Sequence, residues 1–134
     1  MNTDIASLLK AALQEIGCDP SLIGDIDSHS TIALDFHDRP SIYVSRQDDD
    51  VWLWGRLGEY HESSFDQQAP VLLKGLMQGY PFIHGEHPSL VINDGYVELK
   101  ALLRIDHLED ARKFAEALSG FFECIYEFSE LLKK

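Results

Sequence analysis

Residues 41–57 read SIYVSRQDDDVWLWGRL, and this stretch decides the fold class of the chain. Apolar side chains alternate with other types on both sides of the acidic triplet 48–50. That two-residue period is typical of β-strands, and a short polar connection between two strands favours an antiparallel hairpin. The segment therefore predicts one strand with Ile42 and Tyr43 on opposite faces, followed by a paired strand at 51–57.

The second of these strands is apolar on both faces. Val51 and Leu53 point to one side, and Trp52 and Trp54 point to the other. A central strand covered on both sides has such a continuous apolar run. Alternatively, one face serves a partner, because tryptophan is enriched where proteins bind one another. Both explanations remain open from the pattern alone.

Segments on either side of the hairpin extend the pattern of strands. Alternation at 31–36 predicts a strand before it, and the preceding residues 19–30 are rich in turn-forming types. Farther along, the Asn-Asp-Gly triplet at 93–95 supplies the positive φ angles of a tight hairpin turn. We therefore expect a second hairpin with strands at 90–92 and 96–103.

Three segments have the apolar spacing of helices. The first covers 4–16 and ends at Gly17, and the second covers 62–78, where Pro70 is compatible only with the first turn. The third covers 106–132, and its apolar stripe is so wide that it must pack on the sheet. The predicted order is α-β-β-β-α-β-β-α, an α+β fold in which helices back an antiparallel sheet.

Length and charge limit the class of protein. The 134 residues, 45% of them hydrophobic, fit one globular domain spanning 1–134. Twenty-three acidic and eleven basic residues give a net charge of −12, which repels nucleic acid and anionic lipid surfaces. The chain has no run of about 20 apolar residues, no basic signal-peptide start and only two cysteines. We expect a soluble protein of a reducing compartment that does not insert into a membrane.

One group of side chains resembles a metal-dependent hydrolytic site. Asp25, Asp27 and His29 lie close together in the turn-rich segment. Their spacing does not match a calcium-binding loop, and acidic residues in such segments commonly bond nearby backbone groups. We expect a polar loop there and keep a metal-dependent hydrolase as an alternative.

Other candidate chemistry has an ordinary explanation. His84 and His87 are three residues apart in a loop, whereas the helical zinc motif needs a spacing of four. Cys18 follows a helix C-terminus, where the dipole disfavours a thiolate, and Cys124 falls beside the apolar stripe of the last helix. The sequence has no phosphate-binding loop, dinucleotide fingerprint or nucleophile elbow. We expect no enzymatic activity, no metal and no cofactor.

Three runs of sequence carry a resemblance to a known family. The run IGCDPSLI at 16–23, continued by DIDSHSTI at 25–32, resembles the N-terminal region of the invasion protein B family, and so does DDDVWLW at 48–54. Members are class I chaperones of bacterial type III secretion systems; they are small, acidic, cytoplasmic and homodimeric, with the element order predicted above. The resemblance is strongest over 5–57, looser over 59–88, and beyond that depends on element order and the aromatic final helix.

The resemblance implies a function without catalysis. A chaperone dimer of this kind binds the N-terminal part of secreted effector proteins in the bacterial cytoplasm, keeps that segment soluble and extended, and presents it to the secretion machinery. An extended peptide gains affinity by adding a strand to a sheet edge and by placing apolar side chains in grooves. The family supplies no catalytic residues to carry over to this chain.

Patterning supplies the candidate surface residues. Trp52 and Trp54 are predicted to form an effector-binding or dimer surface, unless both lie in the core. Four apolar residues of the second helix are predicted to form a dimer interface or to belong to the core: Leu72, Leu73, Leu76 and Met77. Another alternative is an acidic inhibitor or immunity-type protein that masks a basic partner, for which binding would weaken sharply with salt.

Overall fold

The computed structural model describes residues 5–18, 23–26, 31–35 and 41–133. This part of the chain forms α-helices, β-strands and one 3-10 turn. The helices are α1 (Ile5–Ile16), α2 (Glu62–Leu76) and α3 (Ala111–Lys133), and the strands are β1 (Ile23–Ile26), β2 (Thr31–Leu34), β3 (Ile42–Gln47), β4 (Asp50–Glu59), β5 (Ser89–Asn93) and β6 (Tyr96–Leu102).

The strands form a six-stranded sheet in the order β1-β2-β3-β4-β6-β5, in which every neighbouring pair is antiparallel. The α+β class and the antiparallel sheet are confirmed. The sheet has one strand more than expected, because Ile23–Ile26 pairs with β2 where the sequence suggested only turns. This strand is four residues long and its register is irregular, so it carries too little alternation to be recognised in the sequence.

The helices cover one face of the sheet. Val51 and Leu53 of β4 are buried, and Gly55, on the same face, would place a Cβ only 3.1 Å from Ile125 Cδ1 of α3. The final helix also packs against α1. Its buried side includes three phenylalanines that are at most 1% exposed: Phe114, Phe121 and Phe128. The expectation that the last helix packs on the sheet is therefore confirmed.

The second hairpin has the turn that its sequence predicts. Asp94 and Gly95 adopt φ angles of 54° and 79°, and β5 and β6 pair in register from Asn93 opposite Tyr96 to Ser89 opposite Lys100. Positive φ at both central residues matches the right-handed twist of the strands and is easiest for glycine, aspartate and asparagine.

The final helix begins later than expected. It starts at Ala111, because the Asp110 side chain accepts a hydrogen bond of 2.8 Å from the backbone N–H of Lys113 and so caps the helix. Residues 106–108, which the sequence had placed at the start of this helix, instead belong to the separate 3-10 turn Ile105–Leu108. The helical spacing of apolar residues continues across both segments, which is why the sequence alone placed the start too early.

The second helix differs from its prediction in two ways. It ends at Leu76, and Pro70 lies in its interior rather than in its first turn. A proline there removes the N–H that would bond the carbonyl of Asp66, and both residues are exposed. Near its end the helix runs close to α3, since a Cβ on Gly75 would lie 3.0 Å from Phe128 Cζ.

Candidate binding surface

The sheet face opposite the helices carries a row of aromatic and charged side chains, which we call the open face: Tyr43, Ser45, Trp52, Trp54, Arg56, Glu98 and Lys100. Strand register places Tyr43 directly across from Trp54, and Trp54 across from Lys100. The Tyr43 and Trp54 rings stack with centroids 4.3 Å apart, and Lys100 Nζ lies 5.9 Å from the Trp54 ring centroid. These contacts join three neighbouring strands through one indole ring.

The Trp54 ring is also fixed by hydrogen bonds. Its indole Nε1–H donates to Ser45 Oγ at 2.8 Å, and that hydroxyl lies 3.0 Å from Thr31 Oγ1. A ring that is stacked on one side and bonded at its nitrogen loses little further freedom when a partner arrives. Trp54 is therefore a preorganised contact, which lowers the entropic cost of binding.

A shallow cleft of about 290 Å³ opens on this face. Its lining consists of Ser45, Gln47, Trp52, Trp54 and Lys100. Both tryptophans are half-buried in the protein, so they are neither enclosed in the core nor fully exposed. The cleft has room for one or two side chains against an aromatic wall.

A buried carboxylate lies at the other end of the open face. The Glu98 side chain is 1% exposed, and Arg56 Nε lies 3.5 Å from its Oε2 atom. Arg56 also stacks over the Tyr96 ring at 4.3 Å and is 40% exposed. Asn93 Nδ2 donates to the same oxygen at 3.5 Å, and Arg56 adds the positive charge that compensates the buried carboxylate.

Leu73, in the last turn of α2, and Met77, directly after the helix, form a second apolar surface, which we call the α2 surface; they are 60% and 70% exposed. Val71 is 40% exposed but points away from Leu73, because it is two residues away on the helix. Leu72 is 1% exposed and belongs to the core, and Leu76 packs partly against the core. Leu72 therefore has no surface to offer a partner, and the proposed dimer interface narrows to the neighbours that point outward.

A third apolar area lies where the N-terminal end of α1 meets the 3-10 turn. There a cleft of about 250 Å³ lies beside Ile5, Val51 and Leu108, and Ile105 at its edge is 76% exposed. Charged side chains, including Arg46 and Glu109, form the rest of its lining. Apolar floors with charged rims are typical of sites that receive a single apolar side chain.

The thiol of Cys124 lies in the core, where burial raises its pKa to about 12 even though the Tyr80 hydroxyl donates a hydrogen bond to it. Burial likewise raises the pKa of Tyr80 well above its usual range. A thiol with such a pKa is neither a nucleophile nor a metal ligand at neutral pH. This agrees with the expectation that Cys124 is a small core residue.

Alkaline pH is expected to destabilise the protein through this thiol. The pKa of this thiol is about 9 in the unfolded chain and about 12 in the folded protein. Its contribution to the free energy of unfolding is therefore fully present below pH 9 and is lost as the pH rises towards 12. At about pH 10.5 the thiol should contribute a loss of about 2 kcal/mol. Urea unfolding at pH 8 and 10.5 measures this, and Cys124→Ala should show a smaller difference between the two pH values. An equal difference in both proteins would contradict the prediction.

The structure describes only some of the residues considered for a metal site. His87 Nδ1 lies 2.9 Å from the Leu76 carbonyl oxygen and 3.2 Å from that of Gln78. Since carbonyl oxygens only accept, this nitrogen carries the proton and binds the loop to the end of α2. Asp25 lies in β1, whereas Asp27 and His29 lie outside the described residues. Within the described ranges, no group of three or more histidine, cysteine, aspartate or glutamate residues could hold a metal ion.

Sequence reasoning found part of the open face. It placed Trp52 and Trp54 together on one face of their strand and left open whether that face is covered, and the structure places both on the face opposite the helices, with Tyr43 stacked on Trp54. It missed Lys100 and the Arg56–Glu98 pair, because only the register of β6 against β4 brings these residues beside the tryptophans. Alternation within the return strand was visible, but it could not show which residues of β4 would lie opposite.

A solved structure has the same fold. It is described as the HopA1–SchA chaperone–effector complex, and it matches 94% of this chain and 93% of its own chain with a TM-score of 0.64 at 14% identity. At that identity the likeness concerns the fold alone. The fold is that of a type III secretion chaperone. No helix within the described part of the chain is both long and apolar enough to cross a membrane.

Sequence comparison then gives the family. Residues 17–94 match the model of the invasion protein B family. The surface presentation of antigens protein SpaK of Salmonella typhimurium is 46% identical over 131 residues, covering 98% of this chain and 97% of SpaK, and SpaK of Salmonella typhi matches equally well. This chain belongs to the invasion protein B family. The 16–32 part of the sequence that carried the resemblance includes 19–22 and 27–30, which lie outside the described residues.

Proposed function

We propose that this protein is a cytoplasmic chaperone that binds the N-terminal region of type III secretion effector proteins and keeps it soluble and competent for export. The observation that carries the proposal is the 46% identity to SpaK over nearly the whole chain. The chaperone fold and the solvent-facing apolar surfaces support it. The protein acts by binding, as a single domain without catalysis or cofactor, and hands its cargo to the secretion machinery.

The working form in this proposal is a homodimer that pairs through the α2 surface. In an acidic chain of net charge −12, two copies can approach only where apolar contact outweighs repulsion. Leu73, in α2, and Met77, directly after its last residue, are 60% and 70% exposed. Obligate interfaces are rich in such side chains, and burying them between two copies removes apolar surface that a monomer would leave exposed to water.

The cargo in this proposal is an extended segment. The strand order leaves β1 and β5 at the edges of the sheet, and β5 carries Ile92, which is 54% exposed. An extended peptide can pair with the backbone of such an edge while its apolar side chains enter clefts nearby. The cleft beside Ile105, which is lined from α1, the β3–β4 hairpin and the 3-10 turn, is a separate place for an apolar side chain of the cargo.

Capture of cargo from the native bacterium tests the function. Tagged protein is recovered from cells that express their secretion system, and bound proteins are mapped to the region protected from protease. We expect a few larger proteins, each held through its N-terminal segment, and their retention in moderate salt. Recovery of the tagged protein from such cells without any bound protein would contradict chaperone activity. Capture that disappears as salt rises would instead favour an inhibitor that masks a basic partner.

Charge placed on the α2 surface is expected to weaken the dimer. Leu73→Glu and Met77→Glu each put a carboxylate into the proposed apolar contact, which should raise the dimer dissociation constant about tenfold or more. Sedimentation over a range of protein concentrations measures the change. Gln67→Glu adds the same charge at another exposed position of α2 and is the matched control. A monomeric wild-type protein, or dimers unaffected by both substitutions, would contradict the proposed interface.

A further inference from the structure

Lys100 stands out on the open face by its charge. Acidic residues outnumber basic ones by 23 to 11 in this chain. Of the two cations on the open face, Arg56 is paired with Glu98 and Asp94, whereas no carboxylate of the described residues forms an ion pair with Lys100. The interaction shown for its ammonium group is the one with the Trp54 ring, 5.9 Å away.

The surroundings of Lys100 are suited to binding a carboxylate. The lysine forms one wall of the 290 Å³ cleft, and the tryptophans form another. An ammonium group next to half-buried aromatic rings is less hydrated than one on an open surface, so its attraction for an incoming carboxylate is less screened. The aromatic wall at the same time favours an apolar or aromatic neighbour of that carboxylate.

We infer that the open-face cleft binds an extended cargo segment through an acidic side chain placed on Lys100, with an adjacent apolar side chain packed against Trp52 and Trp54. The inference depends on the proposed chaperone function and specifies the chemistry that one of its sites recognises. Because the Trp54 ring is held by Tyr43 and Ser45, the aromatic wall is formed before the cargo arrives.

A second copy of the chain fits this cleft less well. A symmetric contact places the same patch of both copies together, so the centre of the face would meet another Lys100 and the same tryptophans. The carboxylate nearest along the face, Glu98, is 1% exposed and already paired with Arg56. A cargo chain can bring an acidic side chain to Lys100 without bringing a second Lys100, so it suits the cleft better than a second copy does.

The two tryptophans of the chain both line this cleft, so intrinsic fluorescence reports on it directly. The probe is a phage-displayed library of random 12-residue peptides selected on the full-length protein. Synthetic copies of the enriched peptides are then titrated while tryptophan emission is recorded. We expect enriched peptides to contain aspartate or glutamate beside an aliphatic or aromatic residue, and to change the emission on binding.

Charge reversal gives the decisive comparison. Lys100→Glu should lower the affinity of the acidic peptides about tenfold or more, and peptides with lysine in place of the acid should bind the variant better than the wild type. Lys10→Glu makes the same charge change at an exposed position of α1 and should leave affinity unchanged. If Lys100→Glu does not fold, Lys100→Met removes the charge while keeping a chain of similar shape, and it should also lose affinity for the acidic peptides.

Three results would overturn the inference. The first is a selection that fails or that does not enrich acidic peptides, and the second is equal peptide binding by the wild type and the Lys100 variants. The third is a change of oligomeric state in those variants, which would make a second copy of the chain the occupant of the cleft. The cargo-capture experiment distinguishes failure of this inference about the cleft from failure of the proposed chaperone function. Native cargo held equally by wild type and Lys100→Glu refutes the cleft alone, whereas no cargo on the wild type refutes the chaperone proposal.

Discussion

Gly120→Ala is expected to lower the free energy of unfolding by about 2 kcal/mol. A Cβ at Gly120 in α3 would lie 2.5 Å from Phe82 Cε1 and 2.9 Å from its Cδ1 atom, closer than such atoms approach in folded proteins. Phe82 is 5% exposed, so its ring has little room to move away. Overpacking of this kind costs about 3 kcal/mol, and the better helix propensity of alanine returns about 1 kcal/mol.

Urea unfolding followed by tryptophan emission measures the loss. Gly79→Ala makes the same chemical change where the new Cβ would meet Glu86 Cβ at an ordinary 3.7 Å, so it should alter stability by no more than about 0.5 kcal/mol. Gly120→Ala should also cost less in a Phe82→Leu background, because the shorter side chain vacates the ring positions. Equal costs in both backgrounds would show that the ring contact is not the cause.

The contact between Gly120 and Phe82 illustrates what the sequence could not show. The periodicity of α3 predicted its apolar stripe, and the Asp94-Gly95 turn predicted the second hairpin, because both signals come from residues close together in sequence. The glycine falls inside a helix, where it is usually unfavourable, and its purpose appears only when the loop carrying Phe82 packs against it. A contact between segments that are distant in sequence leaves no periodic pattern in either segment, so it could not be predicted from the sequence.

The candidate surfaces follow the same division. Alternation in β4 was enough to place Trp52 and Trp54 on the same face, and helical spacing was enough to gather the leucines of α2. Burial then separated Leu72, at 1% exposure, from Leu73, at 60%. Adjacent leucines on a helix point about 100° apart, so the sequence could name both but could not say which one faces α3.

The Arg56–Glu98 pair could be found only from the strand register, and it gives the second large expected effect. Arg56→Met should destabilise the protein by about 2 kcal/mol, because it leaves the 1% exposed Glu98 carboxylate without its compensating charge. The value is set below that for a fully buried pair because the arginine is 40% exposed. Urea unfolding at neutral pH measures it.

A Glu98→Gln background separates the cost of leaving the Glu98 charge unpaired from the cost of losing the other contacts of Arg56. In the Glu98→Gln background no buried charge is left without its partner, so Arg56→Met should cost about 1 kcal/mol less there. The remaining cost reflects the stacking of Arg56 on Tyr96 and its exposed ion pair with Asp94. Arg104→Met is the matched control: its pair with Asp106 is shorter, at 3.2 Å, but both side chains are about half exposed. If burial rather than distance sets the cost, the control should lose no more than about 0.5 kcal/mol. A larger loss at Arg104 than at Arg56, or additive losses at Arg56 and Glu98, would show that the carboxylate is not held by its arginine.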